Sequence, residues 1–200
     1  MSLYLLILTV ALSAFCFYNE QFFNQLLFIP YRIKHNNEWW RFITHGFAHA
    51  DFPHLIFNML ALYFFGPLVE GYFQAYFGAL QGSFYFVLMY ISGIAIAALP
   101  SYKKEMYSSN YSSVGASGAV SAVLFASIIF NPLSRMCLYG LLCFPGIIWG
   151  GAYLAYSYYM TKQQNEYINH DAHLAGALYG IVFTIACKPS LAVLCVQQFF

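Results

Sequence analysis

The sequence predicts an all-α membrane protein in which six helices cross the bilayer. Hydrophobic residues make up 61% of the 200 residues and charged residues only 8%, against roughly 25% charged residues in typical soluble domains. The mean hydropathy is +0.62. Six apolar runs are long enough to cross, or nearly cross, a hydrocarbon core of about 30 Å. They lie at residues 2–17, 54–71, 82–99, 114–131, 137–160 and 172–188.

The 200 residues are expected to form a single domain. The longest polar stretches, at about residues 30–53, 101–113 and 161–172, are too short to bury a core of their own. The formal net charge of +1 argues against a basic surface for nucleic acid. Any chemistry is therefore expected within or beside the lipid bilayer.

Neither a cysteine framework nor a cleaved signal peptide is predicted. The cysteines lie in or next to apolar runs without C-x-x-C spacing, so they are interpreted as small hydrophobes rather than a disulfide frame or a zinc site. The run at residues 2–17 lacks a basic n-region, so it is interpreted as a retained first helix. The five cysteines are Cys16, Cys137, Cys143, Cys187 and Cys195.

The long first loop, residues 18–53, is unusually aromatic. This composition suits the headgroup region, so the loop is expected to lie half sunk in the membrane. Trp40 stands beside Arg41, and Glu70 at the end of the second run is a possible partner for Arg41. The alternative is interfacial anchoring with no ion pair.

The last two runs carry local features of their own. Pro145 and the pair at residues 150–151, both glycine, weaken the fifth helix, so it is expected to bend or shift most easily. Residues 189–200 are apolar but too few to span, so they are expected to lie along an interface or extend the edge of the bundle.

Ser117 is the candidate nucleophile. Residues 115–118 read Gly-Ala-Ser-Gly and stand at the head of the fourth apolar run. Polar side chains at membrane depth are costly if unpaired, which makes each one a functional hypothesis. The alternative is that these small residues only let two helices approach closely.

His54 and Asn58 are candidate hydrogen-bond donors of an oxyanion hole. Their i, i+4 spacing places both side chains on one face of the second helix. Fixed donors in a dry site stabilise the charge that develops during acyl transfer. The alternative is that His54 caps the helix while Asn58 bridges to a neighbouring backbone.

His173 opens the sixth run, and Gly176 and Gly180 follow it on the same helical face. Such a G-x-x-x-G face packs tightly against another helix. If that helix is the fourth, Gly118 and Ser121 supply the matching small surface.

This packing would bring His173 beside Ser117. A serine hydroxyl is a poor nucleophile until a base removes its proton, and His173 would be that base and also the acid for the leaving amine. Asp171 is the nearest carboxylate, but its direction at a helix mouth is unknown. A Ser-His dyad is therefore the economical hypothesis.

A metal site is an alternative that these histidines raise. His45 and His49 have the i, i+4 spacing of helical metal ligands. They lie in a loop containing glycine, aspartate and proline, however, and no H-E-x-x-H motif supplies a general base. No metal is therefore expected. The other histidines considered for such a site are His54, His170 and His173.

Four separated motifs, taken together, resemble those of the rhomboid intramembrane serine proteases. The chain is most similar to their compact six-helix bacterial form, over nearly its whole length. The motifs are Trp40-Arg41, His54-x-x-x-Asn58, Gly115-x-Ser117-Gly118 and Ala172-His173-x-x-Gly176-x-x-x-Gly180.

The resemblance implies a dyad of Ser117 and His173, with an oxyanion hole from His54, Asn58 and the Ser117 backbone N–H. It further implies a multi-pass protein of the bacterial inner membrane that cleaves membrane-spanning substrates near the outer face without metal or nucleotide. The fifth helix and the loop at residues 161–171 would act as gate and cap. The alternative is a non-catalytic membrane protein that binds transmembrane helices.

The chain departs from the family pattern at two positions. Ser121 stands where many bacterial members carry an aromatic ring that packs on the catalytic histidine, so the orientation of His173 must be held in another way. Phe125 stands where glycine is common. Neither change removes a catalytic group.

The charges conflict with the orientation that the resemblance implies. The positive-inside rule places the side with more Lys and Arg in the cytoplasm, whereas the family places the first loop outside. We follow the family, because eight charges are few. The side of the first loop carries Arg32, Lys34, Arg41, Lys103, Lys104 and Lys162, and the other side carries Arg135 and Lys188.

Overall fold

The computed structural model describes residues 1–138, 141–163 and 169–199. Most of these residues are helical, as the sequence predicts. The helices are α1 (Ser2–Tyr18), α2 (Glu20–Leu26), α3 (Pro30–Asn36), α4 (Arg41–Thr44), α5 (Phe52–Phe77), α6 (Ala79–Ala97), α7 (Leu99–Glu105), α8 (Ser117–Phe130), α9 (Gly146–Lys162), α10 (His170–Cys187) and α11 (Ser190–Gln197).

Helix α8 lies at the centre of the bundle. Eleven of its 14 residues are buried, and it packs against α5, α6 and α10. At a rise of about 1.5 Å per residue it is roughly 21 Å long, which is short of the hydrocarbon core. Because its neighbours enclose it, its polar N-terminal turn is shielded from lipid by protein.

Two of the described helical segments are long and apolar enough to cross a membrane. They are α5 and the continuous stretch Ala79–Glu105, and a third span results if α10 and α11, whose axes differ by 109°, are counted together. The other apolar helices, α1 and α8, are shorter. The structure thus supports a membrane-embedded helical bundle, while the number of six spans stays a prediction.

The prediction of one helix over residues 137–160 is wrong in its first part. Strands β1 (Arg135–Leu138) and β2 (Leu142–Pro145) form an antiparallel hairpin there, and α9 begins only at Gly146. Pro145 is the residue before this helix, and proline fixes its own backbone and lacks an N–H. The indole of Trp149 donates to the Met136 carbonyl at 2.9 Å and fixes the hairpin to α9.

The interpretation of the cysteines is wrong for two of the five. Cys137 and Cys143 face each other across the hairpin and form a disulfide bond. Directly opposed residues of an antiparallel pair are close enough for this bond, a proximity that depends on the turn and not on the C-x-x-C spacing. Cys16, Cys187 and Cys195 are free thiols.

Arg41 organises the first loop, although not with the predicted partner. Its guanidinium is buried and pairs with Glu38. Burial raises the pKa of the Glu38 carboxyl, but the hydrogen bond and charge of Arg41 outweigh it and lower that pKa overall. One terminal nitrogen, Nη1, also donates to the carbonyls of Asn24, Gln25 and Leu27 at 3.1, 2.9 and 2.7 Å.

Glu70 does not contact Arg41, so the possible ion pair between them is absent. Its carboxylate accepts from the amino group of Met1 at 2.6 Å and from the Ser2 backbone and hydroxyl at 2.9 and 2.8 Å. The Ser83 hydroxyl donates to it at 2.6 Å. Glu70 thus joins α1, α5 and α6.

The first loop also holds the segment that leads into α8. Phe28, which is fully buried, forms an isolated antiparallel bridge with Ser113, with N–H to carbonyl distances of 2.9 and 3.0 Å. Arg41 fixes the carbonyl of the preceding residue, Leu27. The Trp40 side chain instead is 54% exposed, which suits an anchor at the membrane interface.

Candidate active site

Ser117 is the first residue of α8, and the turn before it is held by hydrogen bonds from the backbone. Gly115 has a φ of +122°, a conformation that glycine adopts without steric cost. Its N–H donates to the carbonyl of His45 at 2.9 Å, and the N–H of Ala116 donates to Nε2 of His49 at 3.4 Å. The serine is thus presented by a turn whose backbone is anchored on both preceding residues.

His49 acts as a fixed, neutral acceptor. Since its Nε2 accepts from Ala116, the ring proton lies on Nδ1, which is 2.9 Å from the Ser13 hydroxyl. Ser13 in turn donates to the Phe47 carbonyl at 3.1 Å. Burial lowers the pKa of His49 to about 3, with a smaller contribution from His54. This residue was considered only as a metal ligand at the sequence level.

His45 likewise contacts backbone. Its Nδ1 lies 2.8 Å from the Arg41 carbonyl, and burial lowers its pKa to about 4. In the part of the chain that the structure describes, no group of three or more His, Cys, Asp or Glu side chains is arranged to hold a metal ion. His45 and His49 support the turn before Ser117 through their hydrogen bonds to Gly115 and Ala116.

The structure brings His54 against this same turn. A Cβ at position 115 would lie 2.5 Å from Cε1 and 2.7 Å from Nε2 of the His54 ring, so only glycine fits beneath the imidazole. Asn58 is buried one turn further along α5. One proton of its side-chain amide is donated to the His54 carbonyl at 2.9 Å, which leaves the second proton for another acceptor.

Helices α8 and α10 meet backbone to backbone. A Cβ at Gly176 would collide with the carbonyl group of Gly118, and a Cβ at Gly180 would collide with the backbone of Ala122. The expected contact between the glycine face and α8 is therefore present at Gly118. Gly180, however, is opposed by Ala122 and not by Ser121. The Ser121 hydroxyl is hydrogen-bonded to that of Tyr153 of α9 at 2.7 Å.

The glycine contact sets Ser117 and His173 at neighbouring helix ends. Ser117 precedes Gly118 by one residue, and His173 precedes Gly176 by three. Both side chains are half-buried. No hydrogen bond joins them within the described ranges, and catalytic hydrogen bonds are often long until a substrate is bound.

Asn169 fixes the start of α10 and was missed at the sequence level. Its side-chain oxygen accepts from the N–H of Ala172 at 3.0 Å as a helix cap. Its amide nitrogen donates to the hydroxyls of Ser101 and Tyr111 at 2.8 and 3.1 Å. The first turn of α10, which carries His173, is thereby tied to α7 and to the segment before α8.

A small cavity of about 30 Å³ borders the serine. This volume is sufficient for a water molecule. Ser117, His45 and Asn169 supply polar groups to its wall, and the remainder is mostly small and apolar side chains or backbone. The cavity wall thus offers a hydroxyl, an imidazole and an amide around a space that water can occupy.

Apolar helices of this length, with polar side chains gathered at the ends of α5, α8 and α10, define an integral membrane protein. Residues 36–190 match the family model of the rhomboid domain. The chain belongs to the rhomboid family.

Several named relatives are similar to most of the chain. It is 34% identical over 152 residues to "Putative rhomboid protease YdcA" of Bacillus subtilis, covering 76% of this chain and 69% of that protein. It is 28% identical over 183 residues to rhomboid protease AarA of Providencia stuartii, with shares of 78% and 58%. For RHOMBOID-like protein 12, mitochondrial, of Arabidopsis thaliana, identity is 28% over 144 residues, with shares of 68% and 42%. The chain thus covers less than two thirds of the length of the latter two relatives.

Replacement of Gly176 by alanine should separate α8 from α10, because the added methyl group collides with the Gly118 carbonyl. We expect a loss of about 1–3 kcal/mol in the free energy of unfolding, measured by thermal or denaturant unfolding in detergent. Gly71→Ala is the matched control, since nothing lies within 4 Å of its added methyl group. Equal stability of the two variants would contradict a backbone-to-backbone contact.

The protein should lose stability as the pH falls below 6.5. The folded state holds the pKa of His49 at about 3 and that of His45 at about 4, against 6.5 for a free imidazole. The unfolded chain therefore takes up protons first, which favours unfolding progressively between pH 6.5 and the folded pKa values. Melting temperatures across this range should fall less steeply for His49→Gln, and an unchanged profile in that variant would exclude His49 as a contributor.

Proposed function

We propose that the protein is an intramembrane serine endopeptidase that cleaves membrane-spanning segments. The observation that carries this proposal is the glycine contact between α8 and α10, which sets Ser117 and His173 at adjacent helix ends. Family membership and the names of the relatives, which include rhomboid proteases, support it. No cofactor enters the proposed reaction.

In the proposed reaction, His173 removes the proton from the Ser117 hydroxyl while Oγ attacks the carbonyl carbon of the scissile peptide bond. The protonated imidazole then donates this proton to the leaving amine, and an acyl-enzyme ester remains. A water molecule, activated by His173 in the same way, hydrolyses the ester and returns the serine. The cavity beside Ser117 is a suitable reservoir for that water.

The negative charge of the tetrahedral intermediate must be stabilised by hydrogen-bond donors, two of which would come from α5. We propose that they are the His54 imidazole, the second amide proton of Asn58 and the backbone N–H of Ser117. The N–H groups of a first helical turn have no partner within the helix, and the helix dipole favours negative charge there. The His54 ring already lies against the turn that presents the serine.

A membrane-spanning substrate must reach Ser117 from the lipid, and α9 is the proposed gate. Only three of its 17 residues are buried, Gly146, Gly150 and Ser157, so it is held far more loosely than α8. The proposed cap, residues 161–171, lies partly outside the described residues, since residues 164–168 are not among them.

We further propose that all 200 residues form one domain in a bacterial inner membrane, although relatives come from bacteria and plants alike. Helix α1 lies outside the matched residues 36–190. Its Ser13 nevertheless supports His49, and its Ser2 contacts Glu70. These contacts support the inclusion of the first helix in the proposed domain.

The alternative function is that of a non-catalytic protein that binds transmembrane helices. The loosely held α9 would serve such binding as well as a protease. The two functions differ in whether Ser117 is reactive, because only a protease requires a serine that a base activates.

Purified protein in detergent or liposomes should cleave a single-span model substrate, and the cleavage should be lost in Ser117→Ala and in His173→Ala. Both variants lack one partner of the proposed proton transfer. Cleavage is measured by gel mobility and mass spectrometry of the fragments. Ser127→Ala is a matched control, since its hydroxyl is used within α8 at the Leu124 carbonyl. Undiminished cleavage by either dyad variant would refute the proposal, and a folded protein that no fluorophosphonate labels would favour the helix-binding alternative.

Asn58→Ala should lower kcat more than it raises KM. Its amide donor acts on charge that exists only in the transition state, and loss of one oxyanion donor typically costs about 10²–10³-fold in kcat. Steady-state kinetics on the model substrate measure the split. A raised KM with unchanged kcat would assign Asn58 to substrate binding instead.

We propose that the site opens to the extracytoplasmic side, as in the family. The count of cations and the Cys137–Cys143 disulfide at the opposite end of α8 favour the reverse, since disulfides persist in oxidising compartments. In a cysteine-free background, an impermeant maleimide should label Ser109→Cys on intact cells and leave Ser134→Cys unlabelled. Both positions are exposed. The reverse pattern would place the active site toward the cytoplasm.

A further inference from the structure

The ring that faces His173 comes from α9. Tyr153 stacks on the imidazole with an interplanar angle of 18° and a centroid separation of 6.3 Å, within the range of aromatic pairs. Its hydroxyl is hydrogen-bonded to the Ser121 hydroxyl of α8 at 2.7 Å. Tyr153 therefore connects α8, α9 and α10 at one point beside the dyad.

The two positions at which the sequence departs from the rhomboid pattern both contact this tyrosine. Ser121 binds its hydroxyl, and the Phe125 ring lies 5.7 Å from its ring centroid. Phe125 also occupies the space beside Gly150, where a Cβ would lie 3.4 Å from the phenyl ring. Ser121 and Phe125 thus form a packing site on α8 that accommodates the tyrosine side chain from α9.

We propose that Tyr153 is the positioning residue of His173, a role that rests on the proposed function. A near-parallel ring beside the imidazole restricts rotation about the histidine side-chain bonds. In this proposal the restriction keeps one nitrogen directed toward Ser117. The hydrogen bond to Ser121 fixes the height and tilt of the tyrosine. Tyr153 itself does not touch the reacting atoms.

Placement of this ring on α9 couples the base to the proposed gate. Tyr153 is half-buried, and only three residues of its helix, α9, are buried. Movement of α9 away from α8 breaks the Ser121 hydrogen bond and withdraws the ring from His173 together. The serine is then fully activated only while α9 is docked against α8 and α10.

The test is the rate at which a small fluorophosphonate labels Ser117 in the detergent-solubilised full chain. The probe is too small to need the gate, so its second-order rate reports activation of the serine, and the end point reports the fraction of folded protein. Tyr153→Ala should lower the rate about 10- to 100-fold at an unchanged end point. Tyr153→Phe, which keeps the ring, should lower it less than about threefold.

Controls separate this role from general destabilisation. Tyr159→Ala removes a tyrosine that is 60% exposed on the same helix and should label at the wild-type rate. The exchange Ser121→Tyr with Tyr153→Ser returns the ring to α8 and keeps the hydroxyl pair. If the exchanged protein is folded, it should recover labelling to within about tenfold of the wild type.

The outcomes are distinct for the two proposals. Absence of labelling in the wild type would overturn the proposed protease itself. Wild-type labelling with an equal rate in Tyr153→Ala would overturn only the positioning role, as would a folded exchange variant that labels no faster than Tyr153→Ala. A lower end point at an unchanged rate would assign Tyr153 to folding and also overturn the role.

Discussion

The structure depends on the absence of side chains where α8 and α10 meet. Gly176 and Gly180 leave no atom between their backbone and that of Gly118 and Ala122, so the helices approach as closely as backbones allow. In a bilayer, where lipid is as apolar as the side chains, such packing is a main source of helix association. The register of this contact also fixes the relative position of the two helix ends. A shift of one turn would move Ser117 away from His173 by about 5 Å.

The segment before α8 illustrates a second requirement of the membrane. A non-helical backbone at this depth must find partners for its N–H and C=O groups within the protein. Here the backbone of Ser113 pairs with that of Phe28. The N–H of Gly115 donates to the His45 carbonyl, and the N–H of Ala116 donates to Nε2 of His49. The first loop provides these partners. Arg41 stabilises that loop, because its guanidinium donates hydrogen bonds to three carbonyls of the loop backbone. The buried, neutral histidines are thus structural elements of the turn that precedes Ser117.

Features that depend on local spacing could be predicted from the sequence, whereas those that depend on loop geometry could not. The face of Gly176 and Gly180 follows from helical periodicity, and the contact with Gly118 is present. The partners of Arg41 do not follow from the sequence, because Glu38 and three loop carbonyls come close to it only after α2 and α4 fold together. The hairpin at residues 135–145 could not be predicted, because it overlaps an apolar run whose hydrophobic residues show no periodicity typical of strands. Nothing in the sequence distinguishes Tyr153 from the other tyrosines of α9, since only the packed structure shows which one lies beside His173.

The contact between Tyr153 and His173 has a consequence for how such proteins diversify. An imidazole is supported by the presence of a ring and not by the helix that carries it, so the same support can be exchanged between neighbouring helices. Substitutions at three positions are then coupled, and their effect depends on the order in which they occur. The positions are those of Ser121, Phe125 and Tyr153. Loss of a ring at position 121 is harmless once a ring at 153 exists and damaging before. A comparison that scores positions one at a time would count Ser121 as a defect, although its partner stands 32 residues further along the chain.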